Sequence, residues 1–273
     1  VVIGEMLAGP LPPHGPGEAL HSGSLMRRHW KLILGTSFAV LLVLGVAGYV
    51  WLSDLIDPMP EAAVALESNE AVAVETDPWL TFTPADPAST GFIFYPGGRV
   101  AAEAYAPPVR ALAEAGYLSV LPSMPFGLAI LAPDTADEII EAHPEIERWV
   151  IGGHSLGGVM AADFAAEHEI VEGLAFWASY PADGTDLSES ELEVTSIYAT
   201  EDEVLPVADV EASRELLPPD TIFVGIEGGN HAGFGWYGEQ EGDGLATISR
   251  EEQQAQVVAA TLELLDSVAA GQG

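Results

Sequence analysis

Ser155 stands in Gly153-His154-Ser155-Leu156-Gly157, a G-x-S-x-G. The stretch before it, 149–151, is aromatic and β-branched and predicts a short buried strand. The stretch after it, 156–167, is rich in Ala and predicts a helix. A serine on so tight a strand-to-helix turn sits in strained backbone, its hydroxyl held out from the sheet at the positive end of the helix. Such a hydroxyl can attack an electrophilic carbonyl if a base removes its proton. A side chain at 153 or 157 would strike neighbouring backbone where the turn folds back, and Gly152 and Gly158 extend the same freedom. The pentapeptide alone is a weak signal, because Gly and Ser are common. The flanking strand and helix strengthen it, and its partners downstream strengthen it further.

A serine hydroxyl is a poor nucleophile at neutral pH and needs a base, itself oriented by a carboxylate. The chain has seven histidines. His14, His21 and His29 lie before or beside an N-terminal apolar run. His143 precedes a proline and His168 ends a helical pattern, so both are expected at the solvated surface. His154 neighbours Ser155, and its side chain is expected to point away and pack under the turn. His231 remains, in Gly228-Gly229-Asn230-His231-Ala232-Gly233, a flexible loop able to swing an imidazole over a sheet edge. Among the acids, Asp202 stands just past a strand in Thr200-Glu201-Asp202-Glu203-Val204, before Pro206 turns the chain into a helix. Glu201 and Glu203 are rivals by proximity, expected to face solvent. Asp183, after the preceding strand, is a further rival.

These loops need a scaffold. Three short strands are expected over 62–66, 71–76 and 79–83, forming an antiparallel edge. Strands follow at 91–95, 118–122, 173–178, 195–199 and 221–226. Helices are expected over 101–115, 134–142 (capped by Asp134 or Thr135), 207–217 and from about 250 to 269. Strand and helix alternate, so the fold class is α/β: a mostly parallel, doubly wound sheet with helices on both faces. In such a sheet chemistry collects where strands end. The loops 96–99, 154–156, 200–205 and 228–235 all lie there.

Tyr95-Pro96-Gly97-Gly98, the glycine-flanked Ser155 turn, Thr200-Glu201-Asp202-Glu203-Val204 and Gly229-Asn230-His231-Ala232 together resemble the α/β-hydrolase superfamily, in its small branch related to dienelactone hydrolases and short esterases. The resemblance covers roughly residues 62 to 270. It implies Ser155 as nucleophile, Asp202 as acid and His231 as base. Their order, with gaps of 47 and 29 residues, is the one expected for that fold. It implies acyl transfer from a small ester to water, the oxyanion held by N–H groups of Leu156 and of Gly98, with Arg99 as the alternative to Gly98. The family's usual His-Gly after the third strand is Pro96-Gly97 here, a departure that bears on the oxyanion hole. A peptidase, a thioesterase or another reaction on the same three residues, and a non-catalytic binding protein on this fold, are the competing readings.

No metal, nucleotide or flavin signature is present, and no cofactor is expected. Glu239, Glu241 and Asp243 read as a solvated acidic loop, with a cation site as the alternative. The segment 181–193 is too short for the helical cap of lid-bearing lipases, which predicts an open pocket. Trp177, Phe234, Trp236 and Tyr237 are candidates to line it, and core packing explains Trp177 equally well.

The charge balance excludes some partners. Asp and Glu number 42 against 8 Lys and Arg, a net charge of −34. From residue 53 onward five arginines face 40 carboxylates. Phosphate contacts need Lys and Arg, so no nucleic-acid partner is expected. Acids dispersed among apolar segments, with one lysine in the chain, suggest a surface suited to high salt and a halophilic source. There is no cysteine, hence no disulfide or thiolate site.

The N-terminus reads separately. Residues 1–31 form a segment rich in Pro and Gly, with Met26 a candidate physiological start. Residues 32–52 carry no charge, enough for a helix to cross a ~30 Å hydrocarbon core. Arg27, Arg28 and Lys31 precede the run and Asp54 and Asp57 follow it, so the positive-inside rule puts the N-terminus in the cytoplasm and the domain outside. An uncleaved anchor is expected, since a signal peptide's apolar region is shorter. A linker over 53–61 would lead to the catalytic domain, 62–273.

Overall fold

A computed structural model describes residues 22–271. They divide into two compact units, the boundary falling between Leu52 and Ser53. In the first, α1 spans Ser22–Ser53. Its described apolar side chains, Ile33, Phe38, Leu41 and Leu44 among them, are exposed. Among the described residues no helix is long and apolar enough to cross a membrane. The expected span 32–52 includes Leu32, Gly35, Ala39, Trp51 and Leu52, whose side chains lie outside the described residues, as does the whole of 1–21.

The second unit is an eight-stranded sheet. Its strands are β1 (Val72–Glu75), β2 (Leu80–Pro84), β3 (Thr90–Tyr95), β4 (Leu118–Leu121), β5 (Arg148–His154), β6 (Val171–Trp177), β7 (Glu193–Ala199) and β8 (Ile222–Ile226). The order is β1-β2-β4-β3-β5-β6-β7-β8. β1 and β2 pair antiparallel at one edge, as expected of short consecutive strands there, and β3 to β8 run parallel. β3 and β5 are neighbours in register from Thr90↔Arg148 to Tyr95↔Gly153, while β4 lies on the other side of β3. Strand order therefore reverses between β3 and β5, and their C-terminal loops border the resulting crevice.

Helices cover both faces. A short α2 (Pro60–Val64) precedes β1; α3 is Ala106–Glu114, α4 Thr135–Ala142, α5 Leu156–Glu167, α6 Val207–Ala212 and α7 Arg250–Ala270. One buried cluster joins Val109 and Leu112 of α3 and Val257 and Leu264 of α7 to Phe92, Phe94 and Trp177. The opposite cluster joins Ile139 of α4 and Met160 and Phe164 of α5 to Ile93, Ile151 and Phe176. The strands facing both clusters are apolar on both sides, which is why they read as continuous apolar runs rather than alternations.

Several expectations need correction, the helix over 207–217 among them, since α6 ends at Ala212 and a 3₁₀ turn, Ser213–Leu216, follows it. Residues 62–66 are not a strand: Pro60 presets φ at the first helical position, Glu61 suits the first turn, and Ala62 and Ala63 are strong helix formers. The helix over 101–115 is divided, with a 3₁₀ turn at Ala102–Tyr105 before α3, because Pro107 and Pro108 lack the N–H a continuous helix needs and fit only a first turn. α4 has no side-chain cap: Thr135 Oγ1 donates back to Ala132 O instead. The stretch expected as a linker is tied to the domain. Arg99 Nη2 donates to Asp54 O, Ile56 N to Arg99 O, Ala101 N to Ile56 O, and Met59 N to Trp236 O.

Candidate active site

β5 ends at His154, α5 begins at Leu156, and Ser155 is the hinge between them, at φ 51° and ψ −123°. That conformation costs a non-glycine residue of order 1–3 kcal/mol, and the surroundings enforce it. A Cβ on Gly153 would lie 2.3 Å from the Gly157 carbonyl carbon, and one on Gly157 only 2.1 Å from Tyr95 O. The helix therefore starts almost in contact with the end of β3. Ser179, after β6, braces the turn by donating from Oγ to Ser155 O at 2.7 Å. Ser155 is half-buried, and its Oγ has no hydrogen-bond partner among the described residues. Such bonds tighten when substrate enters.

Asp202 and His231 meet. His231 Nδ1 donates to Asp202 Oδ2 at 2.7 Å, and both side chains are 1% exposed. This leaves Nε2 of His231 as the lone-pair nitrogen. Asp202 Oδ1 accepts from Val204 N at 2.9 Å and Leu205 N at 2.7 Å. Three donors thus hold this carboxylate: Val204 N, Leu205 N and His231 Nδ1. Glu201 and Glu203 are exposed, as expected, and Asp183 is exposed on the loop after β6. The acid and base loops are stitched together, Gly228 N donating to Thr200 Oγ1 and Glu201 N to Gly229 O.

The base loop rests on residues that sequence reasoning passed over. Asp243 accepts from the backbone N–H groups of His231 (3.2 Å), Ala232 (2.8 Å) and Gly244 (2.9 Å). It is a structural acceptor rather than part of a solvated loop, and among the described residues no cluster of His and acids could hold a metal. Gln253 of α7, almost wholly buried, accepts from Asn230 N and donates to Asn230 O. Arg250 donates to the carbonyls of Ala232, Gly235 and Gly238. Burial lowers the Arg250 pKa from its usual value, against nearby groups that raise it. Ser249 and Glu252 cap α7 reciprocally. The Ser249-Arg250-Glu251-Glu252 spacing was the available signal for that helix start.

Arg99 N–H is committed to Gly127 O at 2.7 Å, which removes it as an oxyanion donor. Gly98 N–H and Leu156 N–H have no acceptor among the described residues, and both residues are half-exposed. Leu156 N–H is a first-turn donor with no partner inside its own helix. A Cβ on Gly98 would meet Leu156 Cδ2 at 3.4 Å and Leu128 Cδ2 at 4.0 Å, so the two leucines flank this glycine. Of the four aromatics expected to line a pocket, three are closed off from solvent. Trp177 and Phe234 are fully buried and Tyr237 nearly so. Trp177 packs on Phe94 with ring centroids 4.2 Å apart and donates to Thr261. Trp236 is half-buried and bonded to Gln254. No helix lies between β6 and β7 among the described residues.

A strand-to-helix serine turn at the sheet's reversal point and a buried imidazole–carboxylate pair after later strands are features found in α/β hydrolases. The α/β hydrolase family matches residues 91–255, and the chain belongs to it. No curated protein matches. Among solved structures the chain is similar to the Thermogutta terrifontis esterase Est2 with butyrate bound, at 14% identity and TM-score 0.51 over 73% of this chain and 95% of that one. It is similar to mouse α/β hydrolase domain-containing protein 10, at 12% identity and TM-score 0.52, covering 74% of this chain and 100% of that one. Thermus thermophilus TT1662 is similar at 16% identity and TM-score 0.50, covering 71% and 98%. At these identities the likeness is one of fold.

Proposed function

We propose that the protein is a serine carboxylesterase acting on a small ester. The observation that carries this reading is the buried 2.7 Å bond from His231 Nδ1 to Asp202, in a chain that also holds Ser155 at positive φ. His231 Nε2 takes the Ser155 proton as Oγ bonds the ester carbonyl carbon. Gly98 N–H and Leu156 N–H receive the oxyanion, one such donor being worth about 3–4 kcal/mol of barrier. The imidazolium, steadied by Asp202, returns the proton to the departing alkoxide. Water, deprotonated by His231, then releases the acid from the acyl-serine. The uncapped stretch between β6 and β7 favours small or flexible acyl groups. Incubation with a fluorophosphonate should modify Ser155 stoichiometrically, and Ser155→Ala should abolish both labelling and p-nitrophenyl ester hydrolysis without lowering the melting temperature. A parallel panel of thioesters and aminoacyl amides ranks the reaction types. Labelling elsewhere, or an active Ser155→Ala variant, sinks the reading.

The same reading includes two features of the chain's setting. Residues 32–52 anchor the protein in a membrane with the hydrolase unit outside; the support is 21 uncharged residues after Arg27, Arg28 and Lys31, in a helix whose described apolar side chains are exposed. Externally added protease should digest the unit on intact cells; protection until lysis refutes that orientation. The dispersed acids are an adaptation to high salt.

A further inference from the structure

Beneath the three residues lies a titratable side chain that this mechanism leaves idle. His154 is 1% exposed, and its Nε2 is buried without a hydrogen-bond partner among the described residues. Its Nδ1 lies 2.8 Å from Tyr105 Oη. Tyr105 is wholly buried, and its Oη accepts from Gly97 N–H at 3.2 Å. A phenol has one proton. With Gly97 donating to the oxygen, the phenol bridges the loop backbone and His154 Nδ1. Burial first, and the neighbouring His231 second, hold His154 well below the usual histidine range. His154 is therefore a neutral ring at working pH.

The ring is wedged on both sides. Its centroid is 4.4 Å from that of His231, and it stacks on Phe234 at 5.6 Å and 20°. A Cβ on Gly97 would come within 2.7 Å of both His154 Nδ1 and Tyr105 Oη, so the loop backbone is seated directly on the pair. Gly97 adjoins Gly98, at the end of β3; His231 follows β8. β5, β6 and β7 separate those strands in the sheet. At about 4.8 Å per strand the two lie roughly 19 Å apart, and no strand pairing sets the distance between their loops.

We propose that Tyr105 and His154 are a positioning pair, a buried strut that fixes the oxyanion-donor loop against the base loop. The hydroxyl orients Gly97, and through it the adjoining Gly98 N–H; the imidazole carries that position across to His231. Neutrality is part of the role, because a cation 4.4 Å from His231 would oppose the imidazolium formed during attack.

This inference rests on the serine-esterase reading, and the test separates the two. Full-length Tyr105→Phe keeps the ring and removes the oxygen that serves both Gly97 and His154. We expect kcat to fall about 10–100-fold, short of the loss of a whole donor, with KM within about threefold. A boronic acid that mimics the tetrahedral adduct should bind weaker by the same factor as kcat, and the carboxylate product should bind as before. His154→Gln is read by the same criteria should Tyr105→Phe not fold. A kcat within threefold of wild type, or equal losses in boronate and product binding, overturns the strut. A wild type that takes no fluorophosphonate at Ser155 overturns the catalytic reading and the strut with it.

Discussion

The helix start at Gly157 offers the sharpest test of how the site is built. An alanine there would set its Cβ 2.1 Å from Tyr95 O and 2.4 Å from Pro96 O. Carbon and carbonyl oxygen need more than 3 Å, so α5 and the end of β3 must part by roughly 1 Å. Both obstacles are backbone in the sheet's centre, and neither can turn aside as a side chain would. The upper end of the overpacking range, about 3 kcal/mol, is then the expected loss of stability. For a unit of this size that corresponds to a fall of about 6–12 °C in melting temperature. The same displacement separates Ser155 from Gly98, and a 1 Å misplacement costs about 10²-fold in rate. Gly184→Ala is the control, since a Cβ there meets nothing within 4 Å. Calorimetry and pre-steady-state hydrolysis of p-nitrophenyl acetate read the two effects. A Gly157→Ala protein that melts within 2 °C of wild type and keeps its burst would show that the close approach of α5 to β3 does not constrain the site.

Asp202→Asn replaces an acceptor facing Val204 N, Leu205 N and His231 Nδ1, so one amide hydrogen must confront a donor; kcat should drop about 10³–10⁴-fold, whereas Asp183→Asn should stay within twofold, and the reverse ranking would move the acid to the loop after β6. His154 titrates lower in the folded chain than its ordinary 6.5. Above pH 6.5 both states leave it neutral; below, the unfolded chain gains a proton the folded one refuses, so stability falls by up to ~1.4 kcal/mol per pH unit. Urea unfolding of His154→Gln between pH 7.5 and 5.5 should lack that slope, and parallel slopes would refute it. With five arginines against 40 carboxylates from residue 53 onward, the melting temperature should climb steeply from 0.1 to 2 M KCl as the Debye length shrinks from ~10 Å to below 3 Å. A flat profile would end the high-salt reading.

What the sequence could disclose follows the range of the forces involved. Gly153 is dictated by a collision with Gly157 four residues on, so the turn was legible from its spacing and its flanking strand and helix, whereas the Gly157 collision with Tyr95 O lies across the sheet. Asp202 and His231 were reachable because each follows an apolar strand run, and the sheet order brings β7 and β8 side by side. The supports of the base were not legible. Asp243 looks like any surface acid until the fold folds its loop back onto His231 N–H, and Tyr105 meets His154 across 49 positions. Aromatics misled for the same reason: Phe234 and Tyr237 follow the base in sequence, yet both are buried against the His154 imidazole, where only the tertiary structure could send them. The short helix α2 was mistaken for a strand because apolar content was weighed above Pro60 and the alanines after it.

The anchoring of the His231 loop by α7 has a consequence in the order of synthesis. Strand β5 and the serine turn emerge from the ribosome well before the base, and the base loop lacks part of its seat until Arg250 and Gln253 arrive to hold Ala232 and Asn230. At 5–20 residues per second, the stretch from 231 to the end of α7 at Ala270 takes about 2–8 s to translate. Through that interval the nascent chain carries an exposed serine with no partner to remove its proton. Completion of the site therefore waits on a helix far downstream of the serine turn that it serves.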